Sequence, residues 1–535
     1  MKKLSQIRWL NSEQRILSEK TDGKNLVELT AYQNIALWWF IRFRLYHSEE
    51  SNRLVRLLMK NSFLFSFVDF LYDFLTSILC RLVSMVFKAK VDKKGPKVLM
   101  VTHNAQWRHI RDLTGVSRKC DVYLDPILKE LKKQDYKLLT ISPLKYSISA
   151  IKIMIERLKS RDAIHREYNA YWSIKTWIKE RYANRHFRNI WKSVLENDEK
   201  FVTLLEKYPP TKEIRYYFNS LFGHIVKQIE IAKEVVKEQV PDLILVTSEY
   251  GFFERALVVA GKLNNIPTLA VQHGNIGPFH KGYIYSKNTI SSSESIESPY
   301  CPIPSKTAVY GPFYYDILTK MSAYPPSSVV VSGHPRYDKL VIANKIFGRE
   351  EFCVRLRLDP LRKIVLVATQ GWPMRKIFIK SVLEALKDFP EVQIVIKPHP
   401  RENRELYRRV VDEQNVKAKI LSKSSDTVEA LYACDLLVAA FSTVITEALV
   451  LGKPAVTLNL TDEDPTPYYK EVTLRISREK DLTSAITKAL YDDETREKLK
   501  KAGRRFVFNH AYKQDGNATQ RVVSLIGRMI KNKMK

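Results

Sequence analysis

Short apolar runs of about strand length recur along most of the chain and alternate with stretches of helical period. In the first half these runs lie at 98–101, 136–142, 243–249, 267–274, 306–311 and 328–338. In the second half they lie at 363–371, 392–400, 418–424, 435–443 and 454–460. Strands that alternate with helices predict parallel sheets built from βαβ units. The pattern therefore predicts an α/β protein with two doubly wound, Rossmann-like domains.

Helical segments surround these two series of strands. Residues 1–95 show no strand pattern, so we predict an N-terminal helical extension that ends in the charged stretch 88–97. The first Rossmann-like domain is predicted at 96–345, with a helical insertion at about 150–238. The second domain is predicted at 346–535 and ends in closing helices.

The stretch 63–87, FLFSFVDFLYDFLTSILCRLVSMVF, is long enough to span a bilayer but contains Asp69, Asp73 and Arg81. At helical spacing these three residues share one stripe with serines, and the other positions are aromatic or aliphatic. This pattern is typical of a helix in a membrane interface. Lysines that could face anionic headgroups follow at 88, 90, 93 and 94. We expect attachment to an anionic membrane surface; packing on the protein's own surface and a true span are the alternatives.

The chain has 535 residues and a formal net charge of +30, with 88 Lys and Arg against 58 Asp and Glu. Such a charge favours an anionic partner, which could be nucleic acid, anionic lipid or a phosphorylated substrate. The five cysteines are scattered and form no CxxC pair, so they indicate neither a disulfide framework nor a zinc site. No apolar segment of a signal peptide follows the N-terminal lysines. We therefore expect a cytoplasmic protein.

Four of the eleven histidines directly follow apolar runs. They are His103, His273, His334 and His399. In an open parallel sheet, ligands bind at the carboxyl ends of the strands. Taken singly, each histidine could be an ordinary turn residue, but the four together predict a functional site at this edge.

The stretch IVIKPHPREN at 394–403 ends a predicted strand in alternating cationic residues. The prolines on both sides of His399 restrict the backbone to a tight, non-helical exit. Lys397, His399 and Arg401 then lean to one side of the extended segment, because side chains alternate there. An Arg fork and a protonated His suit a phosphate, so this segment predicts an anion-binding pocket.

A second anion site is predicted in DLLVAAFSTVITEALVLGKPAVTL at 435–458. Ser442 and Thr443 can cap a helix that stops at 452–454, and its positive N-terminus would face the cleft. Glu447 could accept hydrogen bonds from ribose hydroxyls; a solvated Glu after a plain N-cap is the alternative. Two phosphate sites at adjacent strand ends predict a diphosphate, and hence a nucleotide-activated donor.

The order of these motifs resembles the GT-B superfamily of nucleotide-sugar enzymes, and within it the capsule and teichoic-acid branch typified by CDP-glycerol glycerophosphotransferases. The similar elements are Gln272-His273-Gly274, GHPRYD at 333–338, KPHP at 397–400, Phe441-Ser442-Thr443 with Glu447, GKP at 452–454 and YKQDGN at 512–517. The resemblance covers roughly residues 240–525. Where that branch typically has an Asp-Tyr-Ser-Ser element and a Trp-Arg pair, this chain has Ala440-Phe441-Ser442-Thr443 and Thr369-Gln370-Gly371-Trp372.

The resemblance implies that the second domain holds the nucleotide donor. The residues that would bind its phosphates and stabilise charge on the leaving nucleotide are His399, Arg401, Ser442 and Thr443. The donor-binding set is completed by Lys397, Glu447 and Gln370. His399 would thereby also act in catalysis. We expect no cofactor and no metal, because Lys, Arg and a helix end can neutralise a diphosphate.

The first domain would bind the acceptor and supply a general base. His273 is the first choice, because an imidazole suits proton abstraction near pH 7, and Glu249 is the alternative. Gly274 would let the backbone approach the substrate. The other acceptor or junction candidates are His103, His334, Arg336 and Asp338. For Arg336 and Asp338 an ion pair that holds the domain junction is preferred to direct substrate contact.

These features predict a transferase that moves a glycosyl or polyol-phosphate group from a nucleotide-diphosphate or CMP-type sugar donor to a glycan or lipid-linked acceptor. The product would be a surface polysaccharide such as capsule, made on the inner face of the cell membrane. A non-hydrolysing UDP-N-acetylglucosamine 2-epimerase is the first alternative, since HPREN at 399–403 is similar, but Ser442-Thr443 replaces its usual Gly-Gly pair. A basic nucleic-acid-binding protein is the second; no nucleic-acid module is recognisable, so we expect no nucleic-acid partner.

Overall fold

Two parallel sheets and the helices on their faces form the body of the protein. The computed structural model of the chain describes residues 17–42, 62–86, 95–104, 106–111, 117–144, 148–160, 162–206, 214–278, 280–285, 301–399, 402–422, 425–461 and 467–534. The predicted donor ligand Arg401 and the predicted headgroup ligands Lys88, Lys90, Lys93 and Lys94 lie outside these residues.

The first domain is built on a sheet of seven parallel strands. In chain order they are β1 (Lys97–Val101), β2 (Lys137–Ser142), β3 (Ile164–Glu167), β4 (Leu243–Val246), β5 (Thr268–Val271), β6 (Lys306–Val309) and β7 (Val329–Val331). Their order across the sheet is β7-β6-β5-β4-β1-β2-β3. The central strands are apolar and buried, because helices cover both faces of a parallel sheet.

The second domain has a sheet of six parallel strands. They are β8 (Ile364–Ala368), β9 (Gln393–Lys397), β10 (Ala418–Ile420), β11 (Leu436–Ala439), β12 (Ala455–Leu458) and β13 (Leu474–Ile476). Their order is β10-β9-β8-β11-β12-β13. Each sheet starts near its centre and is wound in both directions. The predicted α/β fold with two doubly wound, Rossmann-like domains is therefore confirmed.

The longer helices connect and cover these strands. In the first domain they are α1 (Ser62–Val86), α2 (Asp125–Lys133), α3 (Ile148–Lys159), α4 (Ile174–Ile190), α5 (Glu199–Glu206), α6 (Phe222–Gln239) and α7 (Phe252–Leu263). The later ones are α8 (Arg349–Leu356), α9 (Arg375–Leu386), α10 (Arg404–Glu413), α11 (Thr427–Ala433), α12 (Thr443–Val450), α13 (Leu482–Tyr491), α14 (Asp493–Ala511) and α15 (Ala518–Met534).

Short helical turns fill several connections. The α-helical ones are Leu26–Leu29, Trp38–Ile41, Ile214–Tyr216, Pro312–Asp316, Asp338–Val341 and Ala343–Ile346. The π-helical turns are Trp191–Leu195, Tyr217–Leu221 and Ile317–Met321. The 3₁₀ turns are Tyr168–Tyr171, Pro326–Ser328, Pro335–Tyr337, Pro467–Tyr469 and Glu479–Asp481. A hairpin of Trp107–Arg111 and Ser117–Asp121 follows β1.

Two regions differ from the predicted helical pattern. The N-terminal extension contains two antiparallel ribbons, which pair 20–21 with 24–25 and 31–32 with 35–36. Their two-residue turns are possible because Asp22-Gly23 and Gln33-Asn34 all adopt left-handed φ. Strand β3 interrupts the insertion that was predicted to be helical. Its alternating burial at the sheet edge leaves no continuous apolar run to mark it in the sequence.

The last helix, α15, returns to the first domain. Val522, Ile526 and neighbouring apolar residues of α15 share a core with Val98 of β1 and Leu243 of β4. Residues 518–534, predicted among the closing helices of the second domain, therefore complete the core of the first.

A buried charge cluster attaches α1 to the first domain. Lys227 of α6 is 1% exposed, and its Nζ lies 2.6 Å from both Asp69 Oδ2 and Asp73 Oδ2 and 3.3 Å from Glu180 Oε2. Burial disfavours the charge on Lys227, but Glu180 and the two aspartates outweigh burial and raise its pKa well above the ordinary value. Burial also raises the pKa of Glu180 to about 7, although Lys227 opposes this shift.

The polar stripe of α1 faces the protein, and its apolar side faces outward. Arg81 donates to the carbonyl oxygens of Ala170 at 2.8 Å and Trp172 at 2.7 Å. The exposed large side chains of α1 are Phe67, Val68, Leu71, Phe74, Leu75, Ile78, Leu79, Leu82, Met85 and Val86. The helix therefore packs on the protein's own surface and still presents an apolar face. Among the residues that the structure describes, no helix is both long and apolar enough to cross a bilayer.

We expect Lys227→Ala to lower the free energy of unfolding at pH 7 by about 3–5 kcal/mol, because it leaves buried carboxylates without a counter-charge. Those carboxylates would bind protons more tightly in the folded than in the unfolded variant. The deficit against the wild type should therefore shrink as the pH falls from 7 towards 5. Urea unfolding at several pH values measures both effects. Lys179→Ala, which removes a half-exposed partner of Glu230, is the control; an equally small loss in both variants would contradict the role of Lys227.

Candidate active site

The segments that follow the strands of the two sheets meet across a cleft between the domains. Arg336, after β7, contacts Glu447, after β11. Tyr469 of the second domain forms a side-chain hydrogen bond with Asn275, after β5. The charge of Arg108, in the hairpin after β1, acts on both Lys397 and Glu447. The carboxyl edges of both sheets therefore line one site, as expected for an open parallel sheet.

His273 follows β5 and is held in a defined tautomer. Its Nδ1 lies 2.8 Å from the carbonyl oxygen of Thr247, which can only accept, so Nδ1 carries the proton. Nε2 keeps its lone pair and lies 3.5 Å from the hydroxyl of Tyr250. Burial lowers the pKa of His273, although the Thr247 carbonyl and Glu254 act in the opposite direction. A neutral imidazole with an unprotonated Nε2 can accept a proton near pH 7.

Glu249, the alternative base, lies inside the first domain. It is 2% exposed, and burial raises its pKa to about 7. One carboxylate oxygen accepts from Tyr324 and the other from Thr307 Oγ1 at 3.0 Å. Both oxygens are thus engaged by the protein, so the geometry favours His273 as the base.

His103, at the end of β1, forms a hydrogen bond with the carboxylate of Glu254. Glu254 is buried in the first turn of α7, and its charge also acts to raise the pKa of His273. Sequence reasoning missed Glu254. No motif marks it, because it reaches His103 across 151 positions of the chain.

His334, at the end of β7, lies in a stack of aromatic rings. Its ring is 4.1 Å from that of Tyr310 and 6.0 Å from that of Tyr123, with both pairs almost parallel. Burial drives the pKa of His334 well below its ordinary value, so the ring is neutral. Tyr123 also meets His273 edge to face at 6.1 Å and was not predicted. His334 therefore helps to form the wall beside the base.

The predicted phosphate loop follows β9. Lys397 is 5% exposed, and burial lowers its pKa to about 8 while Asp426 opposes the shift. The backbone N–H of His399 donates to Glu402 Oε2 at 2.9 Å. Glu402 also accepts from Thr369 Oγ1 and from the hydroxyl of Tyr407, both at 2.6 Å. Sequence reasoning missed Glu402, which ties the ends of β8 and β9 together and positions His399.

The second predicted anion site is formed by the N-terminus of α12. Ser442 Oγ accepts from the N–H of Val444 at 3.4 Å, as expected for an N-cap, and the helix begins at Thr443. The predicted stop is also present, with Gly452 in left-handed φ just after the helix. Gln370 lies after β8, and Gly274 after β5 has open space where a side chain would be. Free N–H groups and a positive dipole end at this edge can stabilise an anion.

Arg336 and Asp338 hold the domain junction through different partners rather than by pairing with each other. Arg336 lies 3.2 Å from Glu447 Oε1, and Glu447 raises its pKa against the effect of burial. The carboxylate of Asp338 accepts from the N–H groups of Ala518 at 2.9 Å and Thr519 at 2.8 Å. Asp338 therefore caps α15, because its carboxylate accepts from N–H groups that have no partner within the first turn of the helix. Glu447 was predicted to accept hydrogen bonds from ribose hydroxyls, but its carboxylate is paired with Arg336.

One set of possible metal ligands occurs in the described part of the chain. Asp69 of α1, Glu180 of α4 and His224 of α6 form it. Lys227 already neutralises the two carboxylates. The expectation that catalysis needs no metal stays a prediction.

Several solved structures are similar to this chain at low sequence identity. UDP-GlcNAc 2-epimerase from Neisseria meningitidis is 15% identical over 81% of this chain and 100% of its own, with a TM-score of 0.50. A glycosyltransferase from Rickettsia africae is 15% identical over 83% and 100%, with a TM-score of 0.46. The wall teichoic acid polymerase TagF is 11% identical over 88% and 99%, also with a TM-score of 0.46.

No curated protein sequence matches the chain. The model of the family CDP-glycerol:poly(glycerophosphate) glycerophosphotransferase matches residues 191–528, which is more than half of the chain. The matched region contains the base candidate His273, the phosphate loop and the N-terminus of α12. The protein is therefore a transferase that belongs to the CDP-glycerol:poly(glycerophosphate) glycerophosphotransferase family.

Proposed function

We propose that this enzyme transfers glycerol phosphate, or a similar polyol phosphate, from CDP-glycerol or a related CMP-type donor to a hydroxyl of a glycan or lipid-linked acceptor. One observation carries the proposal. His273, whose Nε2 is unprotonated, follows β5 at the carboxyl edge of the first sheet, and Lys397, His399 and the N-terminus of α12 lie at the carboxyl edge of the second sheet. A base and an anion site on opposite sides of one cleft suit transfer between an acceptor hydroxyl and a phosphorylated donor.

The reaction follows from this arrangement. The acceptor hydroxyl gives its proton to His273 Nε2, and its oxygen forms a bond to the phosphorus that carries the glycerol. The bond between this phosphorus and the bridging oxygen of the diphosphate breaks, and CMP leaves with the electron pair. Lys397, His399 and the N-terminus of α12 stabilise the charge that develops on CMP, because their positions are set before the reaction.

We further propose that the enzyme works at the cytoplasmic face of the membrane and builds a surface polysaccharide such as capsule. The apolar outer face of α1 supports this location, and Ile174, Ile178 and Tyr182 of α4 extend it at a spacing of one turn. The two helices contact each other, with the rings of Phe70 and Trp177 5.0 Å apart. A patch of this kind on a chain with a net charge of +30 suits an anionic bilayer surface.

His273→Gln should lower kcat about 10²–10⁴-fold, because the base is lost, while the affinity for CDP-glycerol stays within about twofold. Release of CMP measures the rate, and calorimetry measures donor binding. His186→Gln, on the exposed face of α4, is the matched control. A variant at His273 with near-normal kcat would remove it as the base.

The wild-type rate should fall as the pH drops through the pKa of His273, which burial places below its ordinary value of 6.5. The base must be neutral, so activity is retained at pH 7 and lost in acid. A pH profile of kcat/KM measures this dependence. A rate that still rises below pH 6 would contradict a histidine base.

Lys397→Ala should weaken CDP binding at pH 7 by about tenfold or more, because a charge-assisted hydrogen bond is lost. In the wild type the affinity should decline between pH 7 and 9, since the pKa of Lys397 lies at about 8. Lys397→Arg should remove that decline, because an arginine stays charged. Calorimetry at several pH values measures the affinities, with the exposed Lys419→Ala as control; unchanged affinity in Lys397→Ala would exclude Lys397 from the phosphate site.

The triple variant Leu71→Ser, Leu75→Ser and Leu82→Ser should abolish flotation of the protein with phosphatidylglycerol vesicles. All three side chains are exposed on α1, so the fold is retained while the apolar contact with lipid is lost. Val354→Ser with Leu361→Ser, which are exposed on the second domain, is the control and should float as the wild type does. Unchanged flotation of the triple variant would contradict membrane attachment through α1.

A further inference from the structure

A pocket of about 500 Å³ lies on the second domain, at the opposite end of α12 from the proposed donor site. Helix α12 spans eight residues, so its two ends are about 12 Å apart. The pocket lies between the C-terminal end of α12 and one face of α14. The segments 452–454 and 512–514, parts of two motifs that the donor site does not use, form its sides. It is therefore a separate cavity, which the transfer reaction leaves unexplained.

The floor of this pocket, which we call the α14 pocket, is aliphatic. Leu449 of α12 and Leu499 and Val507 of α14 line it and are each 8% exposed. Phe508 stands at its edge and is 48% exposed. Gly503 lies at its base, where a β-carbon would come within 3.7 Å of Leu449. The absence of a side chain at Gly503 keeps the cavity open above the helix.

The rim of the α14 pocket is cationic. Its lining contains five basic residues, Lys453, Arg496, Lys500, Arg504 and Lys513, and the single acidic residue Glu497. Arg496 is paired with Asp493 and Lys500 with Glu497, whereas Arg504 forms no ion pair with any residue that the structure describes. An aliphatic floor under an excess of positive charge is complementary to an anion that carries an apolar body.

The aromatic residues of the pocket do not suit a nucleotide base. The ring of Tyr512 is already covered by the charged ends of Lys513 at 5.7 Å and Arg521 at 5.3 Å. Tyr512 itself has a left-handed φ of 62°, a strained backbone conformation for a residue other than glycine. The ring of Tyr512 is therefore not free to stack on a base, and the buried floor offers aliphatic side chains, with Phe508 at the edge.

We propose that the α14 pocket binds a phosphate ester attached to an apolar chain, with Arg504 and Lys500 on the phosphate and the chain on the aliphatic floor. A membrane phospholipid and a lipid phosphate that carries the acceptor share this chemistry. Either ligand would hold the second domain at the bilayer while the donor edge, at the other end of α12, stays open. The inference goes beyond the transfer reaction and does not depend on which donor the cleft binds.

Calorimetry on the full chain tests the site with two soluble probes below their critical micelle concentrations. Dihexanoyl phosphatidylglycerol represents a membrane phospholipid, and geranyl phosphate represents a lipid-linked acceptor. We expect one of them to bind, and the probe that binds identifies the source of the ligand. Lys500→Gln with Arg504→Gln should weaken that binding about tenfold or more, because charged hydrogen bonds are lost.

The controls distinguish binding in the α14 pocket from general attraction by the basic surface and from binding at the donor site. Lys501→Gln with Arg505→Gln removes the same charge from exposed positions of α14 outside the pocket and should change affinity less than about twofold. Gly503→Met, which fills the floor and suits a helix better than glycine, should abolish lipid binding without unfolding. CDP binding measured on the same samples should be unchanged, so failure at the donor site would be seen separately.

Three results would overturn the proposal. The first is that neither probe binds to the wild-type protein. Equal weakening by both charge-neutralised pairs would indicate diffuse attraction by the basic surface. Inorganic phosphate that binds as tightly as the lipid probes would show that the aliphatic floor contributes nothing.

Discussion

The contact between Arg336 and Glu447 joins the two domains at the cleft. It joins the turn after β7 to the first turns of α12, which is the helix whose N-terminus forms the predicted anion site. Burying an ion pair is costly unless the partners are close, and here they lie 3.2 Å apart. Two residues further on, Asp338 caps α15 and returns the end of the chain to the first domain. One short stretch, 336–338, therefore contacts both α12 and α15.

Different contacts position the candidate residues on the two sides of the cleft. On the first domain, a backbone carbonyl fixes the tautomer of His273, and burial keeps its ring neutral. On the second domain, Glu402 has no charge partner of its own in the described contacts and instead orders the phosphate loop through three hydrogen bonds. In the proposed reaction these hydrogen bonds hold the base and the phosphate loop in place before the proton leaves the acceptor. This is the sense in which the site is preorganised.

Helix α1 also has a polar and an apolar side, but it is the polar side that packs against the protein. An ordinary surface helix buries its apolar face; α1 buries its polar stripe against Lys227 and the carbonyls near Trp172. The polar contacts attach α1 to the protein, so its apolar side stays exposed. This arrangement supports the proposed attachment of α1 to a membrane surface.

Local patterns determined a large part of this protein from sequence. The two series of strands, the N-cap at Ser442 and the placement of four histidines at strand ends all follow from residue spacing over a few turns. Contacts between distant segments were decided only by the tertiary structure. Glu447 meets Arg336 across 111 positions and Lys227 meets Asp69 across 158, and Glu254 and Tyr123 approach the histidines in the same way. Spacing encodes which face of an element a side chain occupies, but packing alone selects the partner that the face meets.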